Sequence, residues 1–474
     1  MRDVRKAKTV RRRLFITAAL LAATAGCAPV PPAPVNLPAR SAARVATQLE
    51  EPKLRQIAQG IAPAAPHMAD SLDRLDLFAA ILAQDPRVAE ARAAVLSAQR
   101  DARAAHKVAA PTFTLSSEYA NDPSTSSPWL LGGAVNLPLD IGGRRSARLA
   151  KADLAVLVAR QDLAEMVWSE RVALQRGLID AMAGAEQVRL GTGILALRDR
   201  QLAVLEDRAR RGEIASLDLY PYRAARAAAL RTLNDARARA AGGRAAVAGV
   251  LGVPVSALDG KALLWNDFTA PQANLPALSA AERARAIAAR ADVLRALASY
   301  DQAEADLRAQ VAQRYPAISL GPGYTWERGL VKLPFALNLS LPSWDLNRAA
   351  IAAAEAHRAQ AGATIETTLA NAQAAIEAAQ TERLAAEAAL ARLRGEELPA
   401  TARAADKANL QLKLGAIGTA DWTAAQIAAQ EAQLAQVDAL TRVRAANLAL
   451  EDALRRPLDG PETMIDPALV QPWL

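Results

Sequence analysis

Apolar residues recur at helical spacing from Leu72 to about Val108, with one break at Asp85-Pro86, and this predicts two consecutive helices. At Pro111 the period changes from helical to alternating. TFTLSSEYA and WLLGGAVNLPL read as strands over about 112–120 and 129–139, joined across a polar loop as a hairpin. Gly142-Gly143 ends the second strand, and an unbroken helical pattern then runs from Arg144 to about Arg208. Such a helix is about 100 Å long at 1.5 Å per residue. A glycine-centred turn, GEIASLD, follows, and another helix returns towards Gly252-Val253-Pro254.

The same order is then written again. A helix from about Ala280 to Arg314 precedes strands over about 317–326 and 331–341. A long alanine-rich helix from Arg348 to about Arg394, another from Leu398 to about Leu412, the turn GAIGTADW and a last helix to Leu454 complete it. Landmarks keep a nearly constant offset. Val88 falls on Val293 and Pro111 on Pro316, 205 residues on; Pro138 falls on Pro342 and Arg144 on Arg348, 204 residues on. Gly212, Ile214, Ser216 and Asp218 fall on Gly415, Ile417, Thr419 and Asp421, 203 residues on. Chance likeness among alanine-rich helices does not keep five landmarks in register, so the chain is a tandem duplication of a helix–hairpin–long helix–turn–helix unit. The expected divisions are residues 71–275 for the first repeat, 276–457 for the second and 458–474 for a tail.

Four alternating strands leave two open edges, and several chains each giving four strands could close a barrel that has none. Their length suits a tilted membrane strand, and Tyr119, Trp129, Tyr324, Trp326 and Trp344 stand near strand ends, where an interfacial girdle would lie. A soluble sheet packing its aromatics inward is the alternative on this pattern alone. The helices argue for assembly, because one of some 60 residues needs neighbours along its whole length.

Composition modifies the picture at the N-terminus. The net charge of +8 falls to +2 without residues 1–26, which hold seven basic residues and one acidic one. RKAKTVRRRLFITAALLAATAGC has the basic, apolar and small-residue regions of a secretory signal, and RRLFI also resembles a twin-arginine motif, against the favoured alternative of a merely basic n-region. Cys27 is the only cysteine, so no intramolecular disulfide exists. Ala25-Gly26-Cys27 resembles a lipobox, with Thr24 where leucine is usual, against the alternative of a leftover cysteine in the signal tail. Lipidation of Cys27 and a Pro-rich tether over 27–70 are expected, and Ala28 matches sorting to the outer membrane. The remaining arginines alternate with acids along helices, which excludes a clustered nucleic-acid face. His67, His106 and His357 are not at ligand spacing, and no phosphate-cradling loop occurs; Gly321-Pro322-Gly323 reads as a bend within a strand. No enzyme, metal site or cofactor is expected beyond the covalent lipid.

This organisation resembles the TolC-like outer-membrane factors, the exit ducts of efflux pumps and type I secretion systems, from about Ser71 to Arg456. The resemblance rests on the duplication, the proline entry into each hairpin, the segments PLDIGGRRSARLAKAD and PSWDLNRAAIAAAEA, and the two G-x-x-x-S/T-x-D turns. LDIGGRRSAR is especially like members paired with heavy-metal efflux pumps. It implies a mainly α fold in a homotrimer, with a twelve-stranded outer-membrane barrel, a periplasmic helical tunnel and an equatorial domain. It also implies a periplasmic adaptor and an inner-membrane pump, for instance of RND type. Pro138 and Pro342 would mark the barrel–helix junction. Gly212, Ser216, Asp218, Gly415, Ile417, Thr419, Asp421 and Trp422 would form the periplasmic tips and gate, with Ser216, Thr419 and the aspartates capping the following helices. Asp421 matches an aspartate that lines the family's constriction, where three carboxylates would favour cations. Ile417 replaces a basic residue that locks some gates, and Ala424 stands where a second acid can occur. Hydrophobic closure by Leu414, Ile417 and Trp422 is therefore expected instead. The competing reading is a lipid-anchored periplasmic coiled-coil scaffold without a barrel, which leaves the paired hairpins unexplained.

Overall fold

The computed structural model describes residues 31–65, 71–119, 127–265, 267–270, 279–327 and 330–465; Cys27 and His67 lie outside them. Residues up to Thr47 form one unit and the rest another. The first holds α1 (Leu37–Val45), whose first turn is capped by the Asn36 side chain accepting from the Ala39 amide, 3.1 Å away.

The second unit begins with α2 (Glu51–Ile61), α3 (Arg74–Gln84) and α4 (Pro86–His106), then β1 (Thr112–Tyr119) and β2 (Trp129–Leu139). The helix α5 (Arg144–Arg210) runs unbroken for 67 residues, and α6 (Tyr220–Val250) returns along it. In the second repeat come α7 (Ala280–Ala288), α8 (Ala291–Ala312), β3 (Ala317–Glu327), β4 (Leu330–Lys332) and β5 (Phe335–Ser340). They are followed by α9 (Arg348–Arg392), α10 (Leu398–Lys413) and α11 (Thr419–Leu454). The helix expected over 280–314 is thus two, parted at Ala289-Arg290.

Three glycines seven residues apart decide how closely α5 and α6 pack. A Cβ on Gly177, Gly184 or Gly191 would meet Val247, Ala240 or Leu233 respectively, themselves seven apart on α6. At Gly184 it would lie 2.5 Å from the Ala240 amide nitrogen, and at Gly243 2.3 Å from that of Ala181. The two backbones touch. A seven-residue seam of this kind holds a left-handed helix pair together along its length. The second repeat differs: between α9 and α10 the helix widens to a π-turn over Leu393–Glu397. Pro399 supplies the reason, since its ring has no N–H to give Gly395 and would clash with that carbonyl in regular α geometry.

The strands form one antiparallel sheet in the order β1, β2, β3, and then both β4 and β5 on the far side of β3. The last strand, expected as one piece over 331–341, is therefore split at Leu333-Pro334, where proline cannot donate to the ladder. The Pro334 carbonyl instead accepts from the Gly323 amide at 2.8 Å. Gly321-Pro322-Gly323 lies inside β3, and the glycines leave room for the neighbouring backbones. Pro138 lies within β2, opposite Ser319, one residue short of the strand end. Pro342 follows β5.

The main core is built by α2, α3, the middle of α5, the end of α6 and the loop carrying Leu263, Trp265 and Phe268, with Val437 and Leu448 from α11. Inside it sits an ion cluster. Arg74 binds Glu462 (2.8 Å) and Asp459 (3.2 Å), Arg444 binds Asp459 (2.8 Å), and Arg171 binds Glu451 (2.7 Å). The Arg74 and Arg444 guanidiniums lie 4.5 and 5.1 Å from the Trp265 ring centre. All six charged groups are at most 6% exposed, and three cations balance three carboxylates. This fastens the segment after α11 to the helices of both repeats.

Candidate functional site

Two places in this fold are exposed in ways a self-contained globule avoids: one face of the sheet, and the two helix turns about 100 Å away along α5.

Register decides what each face of the sheet carries. Phe113, Leu115 and Tyr119 of β1 stand opposite Val135, Gly133 and Trp129 of β2. Leu131, Leu137 and Leu139 stand opposite Trp326, Leu320 and Ile318 of β3. Ile318, Leu320 and Pro322 in turn meet Leu339, Leu337 and Phe335 of β5. Because side chains alternate, all of these share one face. Apart from Ser117, opposite Leu131, that face is apolar from edge to edge, and Phe113, Leu115, Leu337 and Leu339 are 69, 78, 62 and 52% exposed. The other face carries Thr112, Thr114, Ser116, Asn136, Ser319, Thr325, Asn338 and Ser340 among Gly and Ala. Tyr119 and Trp129 meet edge-to-face, ring centres 5.1 Å apart, at the end away from the helices. Strand β2 is 11 residues long, about 36 Å, or about 28 Å in height after a tilt of about 40°. That equals the hydrocarbon thickness of a bilayer. An apolar outside, a polar inside and two unpaired edges make this sheet a segment of a membrane barrel wall. No described helix is long and apolar enough to cross a membrane.

The two turns share one hydrogen-bond pattern. The Gly212 and Gly415 amides donate to Ala209 and Leu412, and those of Glu213 and Ala416 donate to Arg208 and Gln411. Both glycines have positive φ, 78° and 68°, which allows a long helix to stop and reverse. The expected caps are partly replaced. Asp218 accepts from the Ala215 amide at 3.2 Å, whereas no side chain of Ser216 or Thr419 caps a helix; Gly418 is the N-cap of α11. Leu217, Tyr220 and Leu414 are exposed, Ile417 is half-buried and Asp421 faces solvent. Trp422 does not stand free. Its Nε1 donates to Asn409 at 2.6 Å and its ring lies under Arg200, 5.0 Å from the guanidinium carbon. It thus ties α5 to the second turn within one protomer, a bond between residues 222 positions apart that no local pattern announces.

Among the described residues no three His, Cys, Asp or Glu gather as metal ligands. His106 pairs with Asp153 on the surface at 3.0 Å, and His357 lines an open groove beside α8.

Comparison with known proteins agrees with this geometry. Residues 77–253 match the family model described as outer membrane efflux protein. Nothing among the curated proteins matches the chain. Among solved structures, the chain is similar to a membrane protein from Pseudomonas aeruginosa, with a TM-score of 0.66 and 20% identity over 86% of this chain and 98% of that one. It is similar to the outer membrane protein VceC of Vibrio cholerae (TM-score 0.65, 18% identity, 81% and 96% covered). It is also similar to the open state of the MtrE outer membrane channel of Neisseria gonorrhoeae (TM-score 0.65, 18% identity, 82% and 89% covered). The family model thus matches within the first repeat, and the fold shared with these solved structures extends across both repeats.

Proposed function

We propose that the protein is the outer-membrane exit duct of a tripartite efflux system, conducting passively what an inner-membrane pump delivers through a periplasmic adaptor. The observation that carries this is the sheet: a membrane-length wall, apolar on one face and polar on the other, with both edges unpaired. Three copies joined edge to edge close a twelve-stranded barrel, and their α5/α6 and α9–α11 pairs continue it as a tunnel. A coiled-coil scaffold has no use for such a face. Cys27 carries the lipid in this reading, set in Ala25-Gly26-Cys27, and the tether is shorter than the expected 27–70, because α2 (Glu51–Ile61) is packed into the core. LDIGGRRSAR favours a pump of the metal-exporting kind. The test replaces Cys27 by Ser behind a cleavable signal lacking a lipobox. A heat-sensitive trimer extracted from the outer membrane only by detergent is expected. A soluble periplasmic monomer would remove the barrel.

In this duct the turns are the periplasmic ends of the tunnel. Leu414 and Ile417 form the apolar closure and three Asp421 carboxylates its cation-favouring ring. With Trp422 engaged inside the protomer, the closure depends on the two aliphatic side chains. Ile417→Ala is expected to raise single-channel conductance of the resting trimer severalfold in planar bilayers. Conductance equal to that of the parent protein would sink the hydrophobic closure.

A further inference from the structure

The foot of the sheet, where strands give way to long helices, carries an excess of positive charge. Lys107, Arg144, Arg145, Arg148, Arg314 and Arg348 gather there against Asp140 and Asp345. Only Arg148 is neutralised by a carboxylate, Asp140, at 3.1 Å. Arg144 donates to the carbonyls of Ala312 (3.3 Å) and Tyr315 (2.5 Å), and Arg145 to that of His106 (3.3 Å). A guanidinium held by carbonyls is oriented but keeps its full charge. Lys107, Arg314 and Arg348 are exposed, and no described carboxylate pairs with them. The described residues of the far end differ: Glu118 has no ion pair among them and Lys332 pairs with Glu327.

Two cavities open at this level. One, of about 610 Å³, is lined by Arg144, Arg148, Gln313, Ser343 and Asn347. The other, of about 510 Å³, runs between the start of α5 and the end of α8 past Leu307, Val311 and Tyr315, with the Glu304–Arg308 pair also lining it. Tyr315 and Trp344 are exposed beside them, as rings at a membrane–water boundary are. A polar cationic crevice next to a mainly apolar one, at the foot of the sheet, matches a molecule with an anionic head and an acyl chain.

We propose that this foot binds anionic phospholipid of the periplasmic leaflet, with the phosphate on the arginine cluster and an acyl chain along the apolar groove. The inference rests on the reading of the sheet as a barrel wall. Juxtamembrane arginines and lysines are each worth a several-fold preference for anionic surfaces, so three unpaired ones give at least tenfold. The purified trimer is mixed with phosphatidylglycerol or phosphatidylcholine in detergent and examined by native mass spectrometry. Phosphatidylglycerol should be retained at least tenfold better, and Lys107→Gln/Arg314→Gln/Arg348→Gln should reduce that preference to below threefold with the trimer intact. Among the described residues these three side chains make no hydrogen bond or ion pair. Equal retention of the two lipids on an intact trimer overturns the headgroup site and leaves the duct. Displacement of the lipid by millimolar inorganic phosphate overturns it in favour of a free-anion site. Absence of any trimer or membrane barrel overturns both readings together.

Discussion

Gly184→Val is expected to cost about 3 kcal/mol or more and to abolish recovery of folded trimer, because overpacking against backbone admits no cheap relaxation. A Cβ at this position lies 2.5, 2.7 and 2.9 Å from the N, Cα and Cβ of Ala240. Two of these are main-chain atoms of a 31-residue helix, so α5 and α6 must separate rather than a side chain turn away. Separation at Gly184 also loosens Gly177 against Val247 and Gly191 against Leu233, seven residues either way. The control is Gly242→Ala. Nothing within the protomer lies within 4 Å of that Cβ, and the position is helical and exposed. It should stabilise by about 0.5–1 kcal/mol through the unfolded chain and helix propensity alone. The measurement is the temperature at which the detergent-purified trimer dissociates on a gel, with yield from membranes as a second readout. A valine variant that assembles and melts like the parent would mean the two helices do not pack this closely.

Much of this architecture is legible in the sequence because a duplicated unit announces itself twice. The prolines that open each hairpin, the arginines at the starts of α5 and α9, and the two glycine turns keep their spacing because strand length and helix length keep theirs. Alternation in TFTLSSEY and WLLGGAVNLPL likewise identifies the apolar face, since period two permits only one assignment of sides. What was hidden falls into two kinds. Local exceptions hide inside regular patterns: Pro334 splits a strand, Pro399 widens a helix, and of the expected caps Asp218 bonds the turn while Ser216 and Thr419 do not. The glycines at 177, 184 and 191 belong here too, written in the sequence but submerged among alanines. The second kind is contact across the chain. Arg74 and Glu462 are 388 residues apart, and each alone looks like a solvated charge on a helix face. The link between Arg200 and Trp422 is of the same kind. Pattern shows which face of an element is apolar, but not which distant charge closes on which.

That buried cluster yields the second large effect. Arg171→Met leaves Glu451 2% exposed without its cation, while the Leu458 amide, 3.0 Å away, still donates to the carboxylate. Breaking one member of a buried ion pair in this way costs about 3–5 kcal/mol, far more than losing a surface pair. Burial already raises the Glu451 carboxyl above its ordinary range even with Arg171 opposing it, so removing Arg171 raises it further. The sign of the pH effect follows. Above that raised value the folded variant must hold an unpaired carboxylate that the unfolded chain solvates freely, and the penalty is complete. As the pH falls through the raised folded value the buried group takes up a proton, and the penalty shrinks until the unfolded carboxyl also protonates. The variant trimer should therefore dissociate well below the parent temperature at pH 7.5 and recover part of the difference at pH 5.5. Arg171→Met/Glu451→Gln should lie closer to the parent and lose the added pH dependence, because no charge is left to desolvate. Equal melting of the single and double variants at pH 7.5 would show that Arg171 acts through its packing on the Trp168 ring, 4.8 Å from its guanidinium, and not through charge.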